Sequence, residues 1–216
     1  MLYWIIGFIL LVYFGIYHRF TRHGTKNIPK DRTCIFASNH ASYLDPPLVG
    51  IAVIPRRIRF VAWEKLFTVP VFGTFIRVLG AVPVSQENKN SSAALLRMVM
   101  GFLKEGRSVF ICPEGHRTLN GELSPLEGGV AIMALKTNTP IVPTWCGGTF
   151  GAMSPDMTFP RPKKLYVRFG EPIYMENLPA EFSVKEKIAL ILDKINEFYK
   201  NMDAADKASG ILKVRK

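Results

Sequence analysis

"TCIFASNHASYLDPP", residues 33–47, sets how the rest of the chain is read. It opens as an unbroken apolar run to Ser38, β-branched and aromatic, the pattern of a strand buried on both faces. At Asn39-His40 it turns abruptly polar. Asp45 follows five residues after the histidine, and two prolines come straight after it. Asp is a good helix N-cap and Pro is favoured at the first helical position, so a helix is expected to begin at Asp45-Pro46. A buried strand, a polar loop and a fresh helix in so short a stretch are the repeating unit of an α/β fold. Capping accounts for the Asp and the Pro and leaves the histidine unexplained.

The same alternation recurs on either side. "RIRFVAW" (57–63), "SVFIC" (108–112), "PIVPTW" (140–145) and "KLYVRFG" (164–170) read as strands. "GAVPV" (80–84) reads as an edge or irregular strand, because Pro83 has no N–H for the ladder. Helices are expected over 46–54, over 66–79 as one or two short pieces, over 129–136 and over 184–199. Another is expected from Ser91 and Ser92 as caps to Gly106 as terminator, with Leu95, Met98, Val99, Phe102 and Leu103 on one face. The fold class is therefore α/β, a largely buried mixed sheet flanked by helices, preceded by an apolar N-terminal membrane helix. Three segments follow: 1–20, a membrane-anchoring helix; 21–203, one folded domain; 204–216, a mobile basic tail.

Charge narrows the partners. The chain carries 28 Lys and Arg against 17 Asp and Glu, an excess that suits an anionic membrane surface, a phosphorylated small molecule or a nucleic acid. Nucleic acid fits poorly: there is no basic helix with base-reading spacing, no zinc-finger spacing and no aromatic platform. Cys34, Cys112 and Cys146 are odd in number and far apart, which reads as buried free thiols rather than a disulfide framework or a zinc site. Leu2 to Tyr17 holds no charge, and "HRFTRHGTK" after it is basic. Short of a buried N-terminal helix of a soluble protein, the plainer alternative, that is a short spanning anchor with its positive end in the cytoplasm, or a helix lying in the interface with Arg19, Arg22 and Lys26 on anionic lipid. Either puts the protein at a membrane with its folded domain on the cytoplasmic face.

Two polar clusters follow directly on buried strands, where open α/β sheets bind ligands. In the first, His40 near neutral pH can accept a hydroxyl proton, and a carboxylate on its other ring nitrogen, Asp45, would fix the tautomer. No nucleophile elbow surrounds Ser38 or Ser42, so the pair suits direct activation of a substrate hydroxyl. A turn histidine beside a helix cap is the plainer reading of the same residues. In the second, "PEGHRT" (113–118), Arg117 offers a fork that matches phosphate, Gly115 lets backbone N–H groups approach an oxyanion, and Glu114 would take a substrate hydroxyl or hold Arg117. Alone, it is also a glycine turn with a surface ion pair.

Taken together, these stretches resemble the glycerolipid acyltransferases of the 1-acylglycerol-3-phosphate acyltransferase family. "NHASYLD" resembles its Asn-His-x4-Asp motif, "FICPEGHRT" its "FPEGTRS" block, "LFTVPVFGTFIRVLGAVPV" the block between, and "TPIVPTW" its "PIVPV" block, in the same order. The resemblance implies transfer of a fatty acyl group from acyl-CoA or acyl-carrier protein to the free hydroxyl of a lysophospholipid. It implies His40 as base and Asp45 as its orienter, with Glu114, Gly115, Arg117, Asn39 and Arg77 on the substrate side. No metal or cofactor is implied; the acyl thioester is a co-substrate.

The chain departs from the family at three cations. Gln86 stands where an Arg is usual, and Trp63 and Glu127 where lysines are usual. These departures open a second reading, the same chemistry on another lysolipid. A membrane-anchored lipid-binding protein without catalysis, or a thioester hydrolase, would use the same residues differently.

Overall fold

The structure is a computed structural model that describes residues 2–84 and 91–211; Gln86, the side chains of Ser91 and Ser92, and residues 212–216 fall outside it. Seven strands form one sheet: β1 (Thr21–His23), β2 (Ile35–Ser38), β3 (Ile58–Trp63), β4 (Ala81–Val84), β5 (Ser108–Ile111), β6 (Ile141–Gly147) and β7 (Tyr166–Phe169), in the order β1-β7-β6-β2-β5-β3-β4. β2 to β6 run parallel, β7 is antiparallel to β6, and β1 is parallel to β7. The sheet is mixed, as expected. β4, with its Pro83, is an edge strand.

Seven helices surround the sheet: α1 (Leu2–Tyr17), α2 (Asp45–Ala52), α3 (Phe72–Val78), α4 (Ser91–Lys104), α5 (Gly129–Thr137), α6 (Thr149–Ala152) and α7 (Val184–Ser209). Side chains of β2 alternate between two cores. Ile35 and Ala37 join Val99, Val130, Ile191 and Tyr199 from α4, α5 and α7. Cys34 and Phe36 join Phe14, Leu48 and Val49 from α1 and α2. A strand with both faces buried at the centre of the sheet is why the opening stretch carries no polar alternation before Asn39.

Three expectations need correction. First, α1 has 16 residues, about 24 Å at the α-helical rise, against a hydrocarbon core of roughly 30 Å. No helix among the described residues is long and apolar enough to cross a membrane, so the spanning anchor is set aside. Phe14 of α1 is packed inside, while Leu2, Ile5, Phe8, Val12 and Ile16 stand exposed.

Second, the boundary at 203/204 cuts through a helix. α7 continues to Ser209 and closes on Gly210, because Asp206 is buried and accepts hydrogen bonds from the Trp145 indole at 2.9 Å and from the Tyr166 hydroxyl. Residues 204–209 are thus part of the domain and no mobile tail. Third, Asp45 is not the N-cap of α2. It is the first helical residue, and its carboxylate turns back to the preceding loop.

Candidate active site

The parallel strands end at one pole, and the loops after β2 and β5, neighbours in the sheet, meet there. His40 Nδ1 lies 3.1 Å from Asp45 Oδ2. The same oxygen accepts the N–H groups of Ala41 at 2.8 Å and Ser42 at 2.7 Å. A carboxylate only accepts, so Nδ1–H is the donor in this contact and Nε2 is the ring nitrogen left on the open side. Asp45 is fully buried, whereas the His40 side chain is 22% exposed. The imidazole is thus open on one side and braced on the other.

The backbone of His40 is braced too. Its N–H donates to Glu114 Oε1 at 2.8 Å, and its carbonyl accepts from the Thr118 N–H at 2.9 Å. Glu114 Oε2 accepts from the Ser124 N–H at 3.0 Å. Glu114 is buried, and desolvation pushes its carboxyl above the usual range, against the pull of those two N–H donors. Both of its oxygens are spent on backbone, and Arg117 lies instead over the Tyr43 ring, 3.6 Å from its centroid. Glu114 therefore positions the backbone of His40 and, against expectation, does not hold Arg117.

Asn39 is likewise engaged with backbone. Its bonds are structural here: buried, it accepts from the Cys146 N–H at 2.8 Å and donates to the Cys146 carbonyl at 3.3 Å, so it clamps the end of β2 to β6. Arg77, on α3, donates to the Phe67 carbonyl at 3.2 Å and stacks on that ring. Among the described residues it makes no polar contact with either loop, so the structure does not bring it to His40.

Gly115 adopts φ +72°, the left-handed region, and its own N–H closes the turn on the Cys112 carbonyl at 3.1 Å. Among the described residues the next two N–H groups, of His116 and Arg117, take no hydrogen bond. They remain to meet an anion, together with the Arg117 guanidinium. The Ser42 hydroxyl is bound to the Met153 carbonyl at 2.8 Å. Burial pushes the Cys112 thiol well up, so it holds its proton. Neither is an activated nucleophile.

Sequence reasoning did not single out Tyr43, Thr118 or Ser124. Tyr43 falls between the motif's fixed positions, and the other two act through backbone N–H groups, which carry no residue signature. Glu127 was visible as a departure. Its carboxylate packs on the turn: a Cβ placed on Gly115 would lie 2.9 Å from Oε1.

A family described as Acyltransferase matches residues 19–147. The chain is 34% identical over 127 residues to a chloroplastic 1-acyl-sn-glycerol-3-phosphate acyltransferase of Brassica napus, covering 58% of this chain and 36% of that protein. It is 27% identical over 181 residues to the 1-acyl-sn-glycerol-3-phosphate acyltransferase of Bacillus subtilis, covering 84% and 86%. The chain thus spans only about a third of the plant protein's length. Among solved structures, the 1-acyl-sn-glycerophosphate (LPA) acyltransferase of Thermotoga maritima shares the fold, with a TM-score of 0.75 at 24% identity over 99% of this chain and 81% of that one.

Proposed function

The chain belongs to the acyltransferase family, and from that premise we propose that it moves a fatty acyl group from an acyl thioester, acyl-CoA or acyl-carrier protein, to the free hydroxyl of 1-acylglycerol 3-phosphate. The product is phosphatidic acid. The observation that carries this is the contact of His40 Nδ1 with Asp45 Oδ2, made by two residues whose backbones and carboxylate are fixed from both loops. Relatives named for that acceptor support the choice of substrate.

In this reading His40 Nε2 takes the hydroxyl proton as the oxygen forms its bond to the thioester carbonyl carbon. The carbonyl becomes an oxyanion. It collapses as the C–S bond breaks, and the departing thiolate takes the proton from the imidazolium. Asp45 holds the imidazolium charge throughout and keeps the ring in one tautomer. A thioester is already activated, so no acyl-enzyme is needed. The free N–H groups of His116 and Arg117, with the Arg117 guanidinium, receive the acceptor's phosphate.

α1 then lies along the membrane interface rather than across it. Phe8 (65% exposed) and Ile16 (78% exposed) face the acyl boundary, and the active site sits on the cytoplasmic side. A second acceptor is favoured by one observation. The Glu127 carboxylate at Gly115 puts negative charge beside the very turn that would hold a phosphate, which suits a lysolipid less anionic than lysophosphatidate.

The test is transfer of labelled acyl thioester to a panel of lysolipids in detergent or vesicles. The lysophosphatidate ester should form fastest, and His40→Ala should lower its rate by about 10²–10⁴-fold. Transfer to no acceptor would end the enzyme reading. A faster neutral or zwitterionic acceptor would replace lysophosphatidate, and free fatty acid formed without any acceptor would indicate a hydrolase.

A further inference from the structure

The opposite pole of the sheet holds a second concavity, a cleft of about 1040 Å³. It is framed by the segments that enter the parallel strands: residues 30–33 ahead of β2, 55–59 entering β3, 78–80 ahead of β4 and 106–108 entering β5. The reaction loops leave from the other ends of these strands, so the full length of the sheet separates the two sites.

The charge of this cleft is lopsided. Arg22, Lys30, Arg56, Arg57 and Arg59 line it, with Asp31 as the sole acidic lining residue. Among the described residues none of the five cations is in ion-pair contact with a carboxylate. Two further lining arginines, Arg32 and Arg107, are neutralised by Glu176 and Glu105. Arg56 is a fixed charge, donating to the carbonyls of Arg32 at 2.8 Å and Lys30 at 3.1 Å and to the hydroxyl of Ser108 at 3.4 Å. Five like charges around one hollow repel one another, and an anion seated among them relieves that repulsion.

The start of α1 forms the rim. The Arg57 guanidinium lies over the rings of Tyr3, 4.7 Å from the centroid, and Trp4, 5.1 Å. Tyr and Trp are the residues that settle at headgroup depth, and the exposed apolar stripe of α1 begins beside them with Leu2 and Ile5. A bilayer touching that stripe brings its headgroups to the mouth of the cleft.

We propose that this cleft binds the phosphate of an anionic phospholipid headgroup and so docks the protein, at a site separate from the reaction centre. The proposal rests on the interfacial seat of α1, and each part is tested by its own variant. The measurement is partition of the full chain onto vesicles of phosphatidylcholine alone or with added phosphatidylglycerol. Lys30→Gln with Arg59→Gln leaves the Arg57 stack and the Arg56 strut intact. The pair should weaken binding to anionic vesicles by about 25-fold, roughly fivefold per cation, with little change on neutral ones.

Lys194→Gln with Lys200→Gln, two exposed lysines on α7, removes the same charge elsewhere and should leave binding nearly unchanged. An equal loss from this control pair would reduce the cleft to a share of net charge and overturn the proposal. So would an absence of any preference for anionic vesicles, or stabilisation of the cleft by inorganic phosphate without such a preference, which would make the ligand a soluble phosphate. Phe8→Glu with Ile16→Glu, on the exposed face of α1, should instead abolish binding to neutral vesicles. Their failure to do so would remove the interfacial seat and leave the cleft result standing.

Discussion

The two poles of the sheet handle charge in opposite ways. At the end where β2 and β5 finish, the acidic groups Asp45 and Glu114 are buried, and each is answered by backbone N–H groups at 2.7–3.0 Å. At the end where those strands begin, seven cations line an open cleft, and among the described residues only Arg32 and Arg107 have a carboxylate in contact. The first design fixes atoms in place, as proton transfer demands. The second gathers cations, some of them held by carbonyls and rings, around open space where the proposed headgroup would sit. One sheet therefore serves both needs by dividing them between its ends.

The comparison can be broken at its rigid pole. Asp45→Asn should be the most damaging change. The Asn carbonyl, held where Oδ2 lies, can still accept from Ala41, Ser42 and His40 Nδ1, so the loop should survive, but it carries no charge to balance the imidazolium. Turnover should fall by about 10²–10⁴-fold with the circular dichroism spectrum unchanged. A modest loss would show that the charge of Asp45 does not matter to the reaction.

Gly115→Ala should have a smaller effect, on stability. The residue would be held at φ +72°, costing about 1–2 kcal/mol, or a melting temperature lower by about 2–8 °C in calorimetry. An unchanged melting temperature would mean that the turn can relax.

The finest probe is the pH dependence of Glu114. Its folded carboxyl is held above the usual value, so its charge opposes folding at neutral pH, and that opposition is relieved as pH falls through the raised value towards the ordinary one. Glu114→Gln lacks this relief. Denaturant midpoints at neutral pH and near the ordinary carboxyl range should shift in favour of the wild-type protein as acid is added. A shift the other way would show that the two N–H donors outweigh burial.

Much of this fold was legible because its strands are buried on both faces and write themselves as apolar runs; Ile35 to Ser38 is the clearest case. β1 was missed because Thr-Arg-His at a sheet edge has no apolar signal. The last turns of α7 were missed because the pattern turns polar after Tyr199, and only the pairing of Asp206 with Trp145 and Tyr166 shows that they are packed. At the site, residue types were legible and directions were not. Asn39 and Glu114 were conspicuous as polar residues after buried strands, but the sequence did not show that both bond the backbone of a neighbouring segment. The basic cleft was illegible for a related reason: its cations come from segments scattered between Arg22 and Arg59, and only the common starting line of the parallel strands collects them.

The grip of Glu114 and Thr118 on the main chain of His40 joins residues more than seventy positions apart. Its consequence concerns the order of events during synthesis and folding. A nascent chain that has made β2 and its loop, but has not yet docked β5 beside it, possesses the histidine and the aspartate and still lacks their frame. The frame of His40 is completed by the same step that closes β2 against β5, so a half-folded chain would lack the braced base that the proposed mechanism needs.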